Sequence, residues 1–561
     1  MKTIANTDTQ HKYDVIVVGS GAGGLSVAAV AAFNGLSVLV IEKTSQIGGT
    51  SAWSGGWMWV PMNRHALRAG VEDSREQINQ YLDAVSNRRA RGIEVDAFLD
   101  EAPRMVEFYE DSLGFKFIDG NRVPDFQNVT GAVDGGRSLC SAPVDNRKLG
   151  RFAAFLRRPL EPMTLAGMAI GSFELKHFFE AKTSLRSFAY VLNRLIRYGF
   201  GRLIWRRDIR SVNGNGLIAQ LFGSCLRHGV DFVVDRPVSD FYHREDLWHV
   251  TLGDTETVSA KSLVLAGGGF PHSPELRKRL FDTSTGQNHF SAALGANEGD
   301  LSKIAERHDG RLADDFIHAG AWSPVSLWKT KNGVVHFPHL VDRAKPGMVA
   351  VGPDGKRFVN EADSYHAFMS GLFAGYEQDN PFCWLITDQV GFSRWGIGAV
   401  KPLPGQVTKA VRDGYLHVAK SVNELAESLA LPGDVLANTL SEFSHNARQG
   451  VDPDFGRGDS LYNRVQGDPS HGPNPSLGTV SKAPFYAVKI VSGSLGTFSG
   501  IRTNEFGQIL DSKNNTISNI YAVGNEAASI FKGSYPSGGI TLGPAMTFGY
   551  IIAKHIKNQS I

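Results

Sequence analysis

The feature that most restricts this chain is KYDVIVVGSGAGGLSVAAVAAFNGLSVLVIEK, in which an apolar run, a glycine cluster and a second apolar run follow one another. The residues Asp14 to Val18 are mostly apolar and β-branched, which predicts a strand buried on both faces of a parallel sheet. GSGAGG follows at once. Gly19 suits a tight turn, Gly21 lets backbone approach a pyrophosphate, and Gly24 lets a helix pack closely on the strand. Ala28, Ala29, Ala31 and Ala32 suit the same close packing. A helix beginning near Ala22 aims its free N–H groups and positive dipole end at the phosphates. After a second strand, Ser37 to Ile41, Glu42 stands where a ribose hydroxyl is accepted. Strand, helix and acid together make this a dinucleotide grip, a more specific signal than the glycines alone.

The residues after the acid narrow the ligand. Gly48, Gly49, Thr50 and Ser51, then Ser54, Gly55 and Gly56, form a second small, hydroxyl-rich loop. Such a loop suits a bulky ligand lying along the sheet edge. With EKTSQIGGTSAWSGG the chain resembles the FAD-dependent fumarate reductase and ketosteroid dehydrogenase superfamily, in which EKxxxxGGTSAxSGG is a signature. The resemblance implies FAD and an α/β fold: a Rossmann-like FAD-binding domain with an inserted α+β substrate domain that caps it. It also implies cofactor contacts at Gly19, Gly21, Gly23, Gly24, Glu42, Lys43, Gly49, Thr50, Ser51, Gly55 and Gly56. Further along, it implies contacts at Val238, Ala266, Gly267, Gly524, Asn525, Thr541 and Leu542.

Composition excludes several classes. A chain of 561 residues, 42% hydrophobic, buries a large core and divides into two or more domains. A formal charge of +2 gives no polyelectrolyte field, so nucleic acid is not an expected partner. Cys140, Cys225 and Cys383 are too far apart for a disulfide framework or a metal cluster and read as buried thiols in a reducing compartment. The polar start MKTIANTDTQHK lacks the apolar core of a signal peptide. No stretch reaches the roughly 18 uninterrupted apolar residues of a membrane span. A cytoplasmic protein is expected.

Charged-outside periodicity from Glu72 to Gly114 predicts amphipathic helices, and Asn121 to Leu139 reads as an irregular loop that could line a pocket. From Arg147 to Arg210 aromatics mix with basic groups, which outnumber acids about three to one. This segment reads as a helical insertion packed on the body, or as a pocket lid or peripheral membrane contact. A strand follows at Val230 to Val234, and KSLVLAGGGF resembles the superfamily's second nucleotide motif. The expected division is 1–280 for the first part of the FAD-binding domain, 281–478 for the substrate domain and 479–561 for the second part of the FAD-binding domain.

The tail SYPSGGITLGPAMTFGY resembles the YPGPG…GPAMTFGY element of 3-ketosteroid Δ1-dehydrogenases. By that resemblance Tyr535 and the backbone N–H of Gly539 hold the substrate carbonyl, where two donors stabilise a developing enolate. In NEADSYHAF, Tyr365 falls on the family's proton-abstracting tyrosine. His366 is the second candidate, with the better intrinsic pKa but facing away if the segment is extended. Fumarate reductases carry arginine clamps at the places that hold Tyr365 and Pro536 here, so a neutral carbonyl compound is expected over a dicarboxylate. Two departures stand out: Phe126 occupies the place of a further active-site tyrosine, and Ser537 replaces a glycine. The implied reaction desaturates a hydrophobic cyclic ketone, most like a 3-ketosteroid, passing a hydride to FAD N5 and an α-proton to tyrosine. A quinone, oxygen or a carrier protein then reoxidises the FAD. The alternatives are an ene-reductase acting on an enone or unsaturated acid, and an electron-carrier flavoprotein docked to a membrane or partner.

Overall fold

A computed structural model describes residues 12–559 apart from 182–183, 255, 282–287, 332 and 377–379; the polar stretch before Lys12 lies outside the described residues. Strand Lys12–Val18 is the centre of the first sheet, pairing in parallel with Val38–Ile41 on one side and Glu256–Leu265 on the other. Asp231–Val233 extends the sheet beyond Val38–Ile41. On the far side the long strand Glu256–Leu265 divides its pairing. Its first half takes the antiparallel hairpin Val238–Arg244 and Leu247–Leu252, and its second half takes Thr516–Ala522 in parallel. The sheet is therefore built from both ends of the chain, with everything between about 290 and 490 looped out from it.

The glycine turn follows the first strand as its sequence demands. Gly19 has φ +112°, and a Cβ there would stand 2.2 Å from the Ala266 carbonyl oxygen. Helix Ala22–Phe33 is buried from Ala22 to Ala32, which explains its run of alanine and valine. It packs between the sheet, helix Asn213–Arg227 and the C-terminal helix Leu542–Gln559.

The looped-out region builds a second, antiparallel sheet from Gly333–Pro338, Val325–Thr330, Phe485–Val491, Phe382–Asp388 and Met348–Val351. His417–Ala419 pairs along Phe485–Val491 as well. Phe485–Val491 is thus a central strand of the second sheet. Its alternation of apolar residues could not reveal which sheet it joins. The three cysteines are buried thiols, and burial pushes Cys140 up to about 12. No helix among the described residues is long and apolar enough to cross a membrane.

Gly19→Ala combines a positive φ with a backbone collision, each costing about 1–3 kcal/mol. The variant is expected to denature earlier by about 3 kcal/mol and to retain less flavin, read by denaturant titration and visible absorbance. Parent-like values for both would contradict this account of the turn.

Candidate active site

The cradle at the end of the first sheet forms before any ligand is considered. Glu42 is buried, and its own chain saturates it: Oε2 accepts from the Ser20 N–H and hydroxyl at 3.1 and 2.5 Å. Oε1 accepts from the Thr44 N–H and hydroxyl at 2.9 and 2.8 Å. The Ala22 N–H, at the helix start, donates to Ser51 Oγ at 3.1 Å. Thr50 Oγ1 accepts from the Leu294 N–H and Asn297 Nδ2 at 3.0 and 3.2 Å, tying the cradle to the start of the looped-out region. A Cβ at Gly21 would meet nothing nearer than Ser51 Oγ at 3.7 Å, so no contact within the described residues requires glycine there. The Asp235 and Arg236 N–H groups donate to the Thr44 and Glu42 carbonyls, which brings the chain leading to Val238 beside the acid.

Lys43 turns to Glu298 and Asp300, at 2.5 and 2.7 Å, because this acidic pair is the anion its long stem reaches. Glu526, which the sequence reading passed over, bridges the second and third glycine segments: it accepts from the Gly269 N–H at 3.1 Å and from the Ser302 hydroxyl at 2.6 Å. Burial holds its carboxyl above the usual range, partly offset by those two donors. Gly524, Asn525, Ile540 and Thr541 line a cleft with Thr497 and Phe498 beside the start of the C-terminal helix.

Tyr365 and Tyr535 meet in a buried aromatic box. The Tyr365 hydroxyl donates to the Tyr535 hydroxyl at 2.7 Å. The Phe126 ring stacks on Tyr535 at 5.7 Å and meets Tyr365 edge-on at 5.5 Å, with Tyr462 at 4.8 Å from Phe126. Tyr365 and His366 open helix Tyr365–Gly375, with Ser364 as N-cap accepting the Ala367 N–H at 3.1 Å. The segment is therefore not extended, and adjacent side chains need not oppose one another. The His366 ring lies 5.4 Å from Tyr535, and neither of its nitrogens has a hydrogen-bond partner. Gly539, at φ +99°, has a structural reason to be glycine: a Cβ would stand 2.6 Å from the Trp57 carbonyl oxygen.

Burial pushes the Tyr365 phenol well above 10, and its hydrogen bond to Tyr535 adds to this, while Arg343 pulls the other way. Burial also pushes Tyr535 up to about 12, and the bond donated by Tyr365 draws it back. Burial, with the nearby His318, keeps His366 far below 6.5 and so neutral at pH 7.

The FAD binding domain family matches residues 14–542. The chain belongs to this FAD-binding family. It is 37% identical over 547 residues to a 4-oxocyclohex-2-ene-1-carboxylate 5-dehydrogenase of Sinomonas cyclohexanicum, covering 96% of this chain and 92% of that protein. It is 32% identical over 565 residues to a 3-oxosteroid 1-dehydrogenase of Mycolicibacterium smegmatis, covering 98% of each. Among solved structures, the 3-ketosteroid Δ1-dehydrogenase of Sterolibacterium denitrificans in complex with 1,4-androstadiene-3,17-dione superposes with TM-score 0.89 at 30% identity, covering 98% of this chain and all of that one. A flavocytochrome c3 fumarate reductase shares the fold, with TM-score 0.64 at 19% identity, 99% of this chain and 79% of that one. The protein is an FAD-dependent oxidoreductase acting on CH–CH groups.

In this FAD-binding protein both tyrosines are braced from behind by buried charge. On the Tyr535 side, the Tyr81 hydroxyl and the Phe126 N–H donate to the Pro536 carbonyl at 2.5 and 3.2 Å. Phe126 is set by Asp125, which Trp59 Nε1 and Arg137 hold at 3.1 and 2.7 Å, with Asp73 on the other side of the guanidinium. On the Tyr365 side, Arg343 grips the Glu361 carbonyl at 2.6 Å, and Glu361 pairs with Arg357 and Arg457 at 2.8 and 3.0 Å. Burial alone would raise the Glu361 carboxyl, but the two guanidinium groups bring it from 4.5 down to about 2. Such a group stabilises the fold above its unfolded pKa, and that contribution fades as pH falls from 4.5 towards 2. Glu361→Gln is expected to lose about 3–5 kcal/mol at neutral pH and to show a shallower acid loss across that window, measured by denaturation at a series of pH values. Equal stability of parent and variant at pH 7 would rule this brace out.

Proposed function

We infer that the protein desaturates a hydrophobic cyclic ketone next to its carbonyl, with a 3-ketosteroid as the substrate class. The observation that carries this reading is the Tyr365–Tyr535 hydroxyl pair, 2.7 Å apart, buried in an aromatic box on the loop that ends at Gly539. The Tyr535 hydroxyl and the Gly539 N–H donate to the carbonyl oxygen. Polarised in this way, the ketone gives up its α-proton to Tyr365 in its ionised form, which has first released its own proton to solvent. FAD, held by the glycine cradle, supplies the acceptor for the hydride lost from the neighbouring carbon. Burial keeps water from the pair, so the developing enolate charge meets fixed donors in a dry site.

Charge supports a neutral substrate. The buried arginines nearest the pair are already committed: Arg137 to Asp73 and Asp125, Arg457 to Glu361, and Arg343 to backbone carbonyls. His366 favours a second reading. Its two unpartnered ring nitrogens, buried beside Tyr535, suit a ring ketone that carries a polar group away from the carbonyl, such as a 4-oxocyclohexanecarboxylate. The 37% identical relative has a name of that class.

Anaerobic mixing separates these readings. A 3-oxosteroid that bleaches the oxidised flavin supports the first, a 4-oxocyclohexanecarboxylate that does so alone supports the second, and reoxidation of reduced protein by enones alone indicates an ene-reductase. Tyr365→Phe and Tyr535→Phe are each expected to lower turnover about 10²–10³-fold while keeping bound flavin. Unchanged turnover in both removes this mechanism.

Because burial raises the Tyr365 phenol above 10, its base form grows about tenfold per pH unit across the neutral range. Turnover is expected to keep rising to about pH 10, with no plateau below it. A plateau below about pH 8 would give the proton to a group other than Tyr365.

A further inference from the structure

Helix Leu185–Trp205 turns its apolar side away from the body it sits on. Its buried residues are Ser187, Arg194 and Gly201. Tyr190 and Arg194 reach Glu174 at 2.6 and 3.0 Å, and Arg210 meets the same fully buried carboxylate at 2.7 Å. The opposite stripe is formed by Leu185, Phe188, Leu192, Ile196, Phe200 and Leu203, between 46% and 88% exposed. These recur every three or four residues, the spacing of a single helix face. Turning the helix to hide them would take Tyr190 and Arg194 off Glu174 and strand a buried carboxylate, so the orientation is specified.

The charge around this stripe has one sign. From Ala181 to Arg207 the chain has no Asp or Glu, and Arg186, Arg197, Arg202 and Arg206 are exposed. At about 100° per residue, Arg186 and Arg197 flank the stripe on one side and Arg202 on the other. Their stems are long enough to hold guanidinium groups at headgroup level while the apolar stripe is submerged.

We propose that this face docks the protein on an anionic lipid bilayer, with Leu185–Trp205 lying in the interfacial plane, its apolar stripe among the acyl chains and its arginines on the headgroups. A second copy of the chain fits the face poorly, since pairing two such helices sets arginine against arginine. The docking surface does not depend on which ketone the active site takes.

The test sediments the flavin-loaded full chain with vesicles of phosphatidylcholine alone, or of equal parts phosphatidylcholine and phosphatidylglycerol. The protein is expected to pellet with the mixed vesicles, at least about tenfold more tightly than with the neutral ones, and to be released by high salt. The variant L192E/F200E/L203E is expected to keep its flavin and turnover while vesicle binding falls at least about tenfold. R186E/R197E, which keeps the apolar stripe, is expected to lose the preference for anionic vesicles and serves if the first variant folds poorly. Parent protein left in the supernatant with both vesicle types, or parent-like pelleting of both variants, overturns the proposal. A dimer in sedimentation velocity that L192E/F200E/L203E dissociates, without vesicle binding by the parent, overturns it in favour of self-association.

Discussion

The contact on which the active site depends joins the first helix to the last. Ser26 donates its hydroxyl to the Met546 carbonyl at 2.8 Å and also meets the Tyr109 hydroxyl. Gly549 leaves room for this approach, since a Cβ there would lie 2.4 Å from Ser26 Oγ. The helix that starts at Leu542 is thereby pressed on the helix that starts at Ala22, and both N-termini come to the same end of the first sheet. Gly539, three residues before that helix, inherits its position from that contact and accepts the Trp59 N–H at 3.1 Å. A nucleotide grip alone would fit many chemistries; the closure of the C-terminal helix on it brings Tyr535 to the cradle.

Tyr365 arrives on a helix that packs against strand Gly320–Trp322. The two tyrosines are thus held by independent supports, one built on Arg137 and its two aspartates, the other on Glu361 and its two arginines. Buried ion pairs contribute little net stability but resist displacement, because separating them strands a charge. That property suits a hydroxyl pair whose separation has to stay within hydrogen-bond reach while the site is empty and filled.

What could be read in the sequence was whatever a local pattern encodes. The turn at Gly19, the buried helix after it and the acid at Glu42 are neighbours in the chain, so spacing specifies them. The helix at Tyr365 was also locally encoded, because Ser364 precedes an apolar run as an N-cap should; reading the segment as extended overlooked that cap. Phe485–Val491 has the composition of a strand but nothing in it names a partner sheet. The braces were illegible for a different reason. Tyr81 and Pro536 are 455 residues apart, and Glu526 meets Gly269 across 257 residues. A single sequence gives no means of matching such partners.

The insertion that carries the exposed helix is fastened to the wall of the site. Phe179 packs edge-on against Trp395 at 5.0 Å, and the Lys345 ammonium stands over both rings, at 5.6 and 5.4 Å. The same ammonium donates to the Gln466 and Gly467 carbonyls at 2.7 and 2.6 Å, closing the short helix Leu461–Gln466 that presents Tyr462 to Phe126. Burial lowers Lys345 to about 8, so near neutral pH this cation still holds the joint, and the cation–π contacts favour its charged form. Packing of this kind transmits position, and coupling would require the joint to have two arrangements of similar energy. The packed rings and the doubly bonded ammonium join the insertion to the short helix Leu461–Gln466.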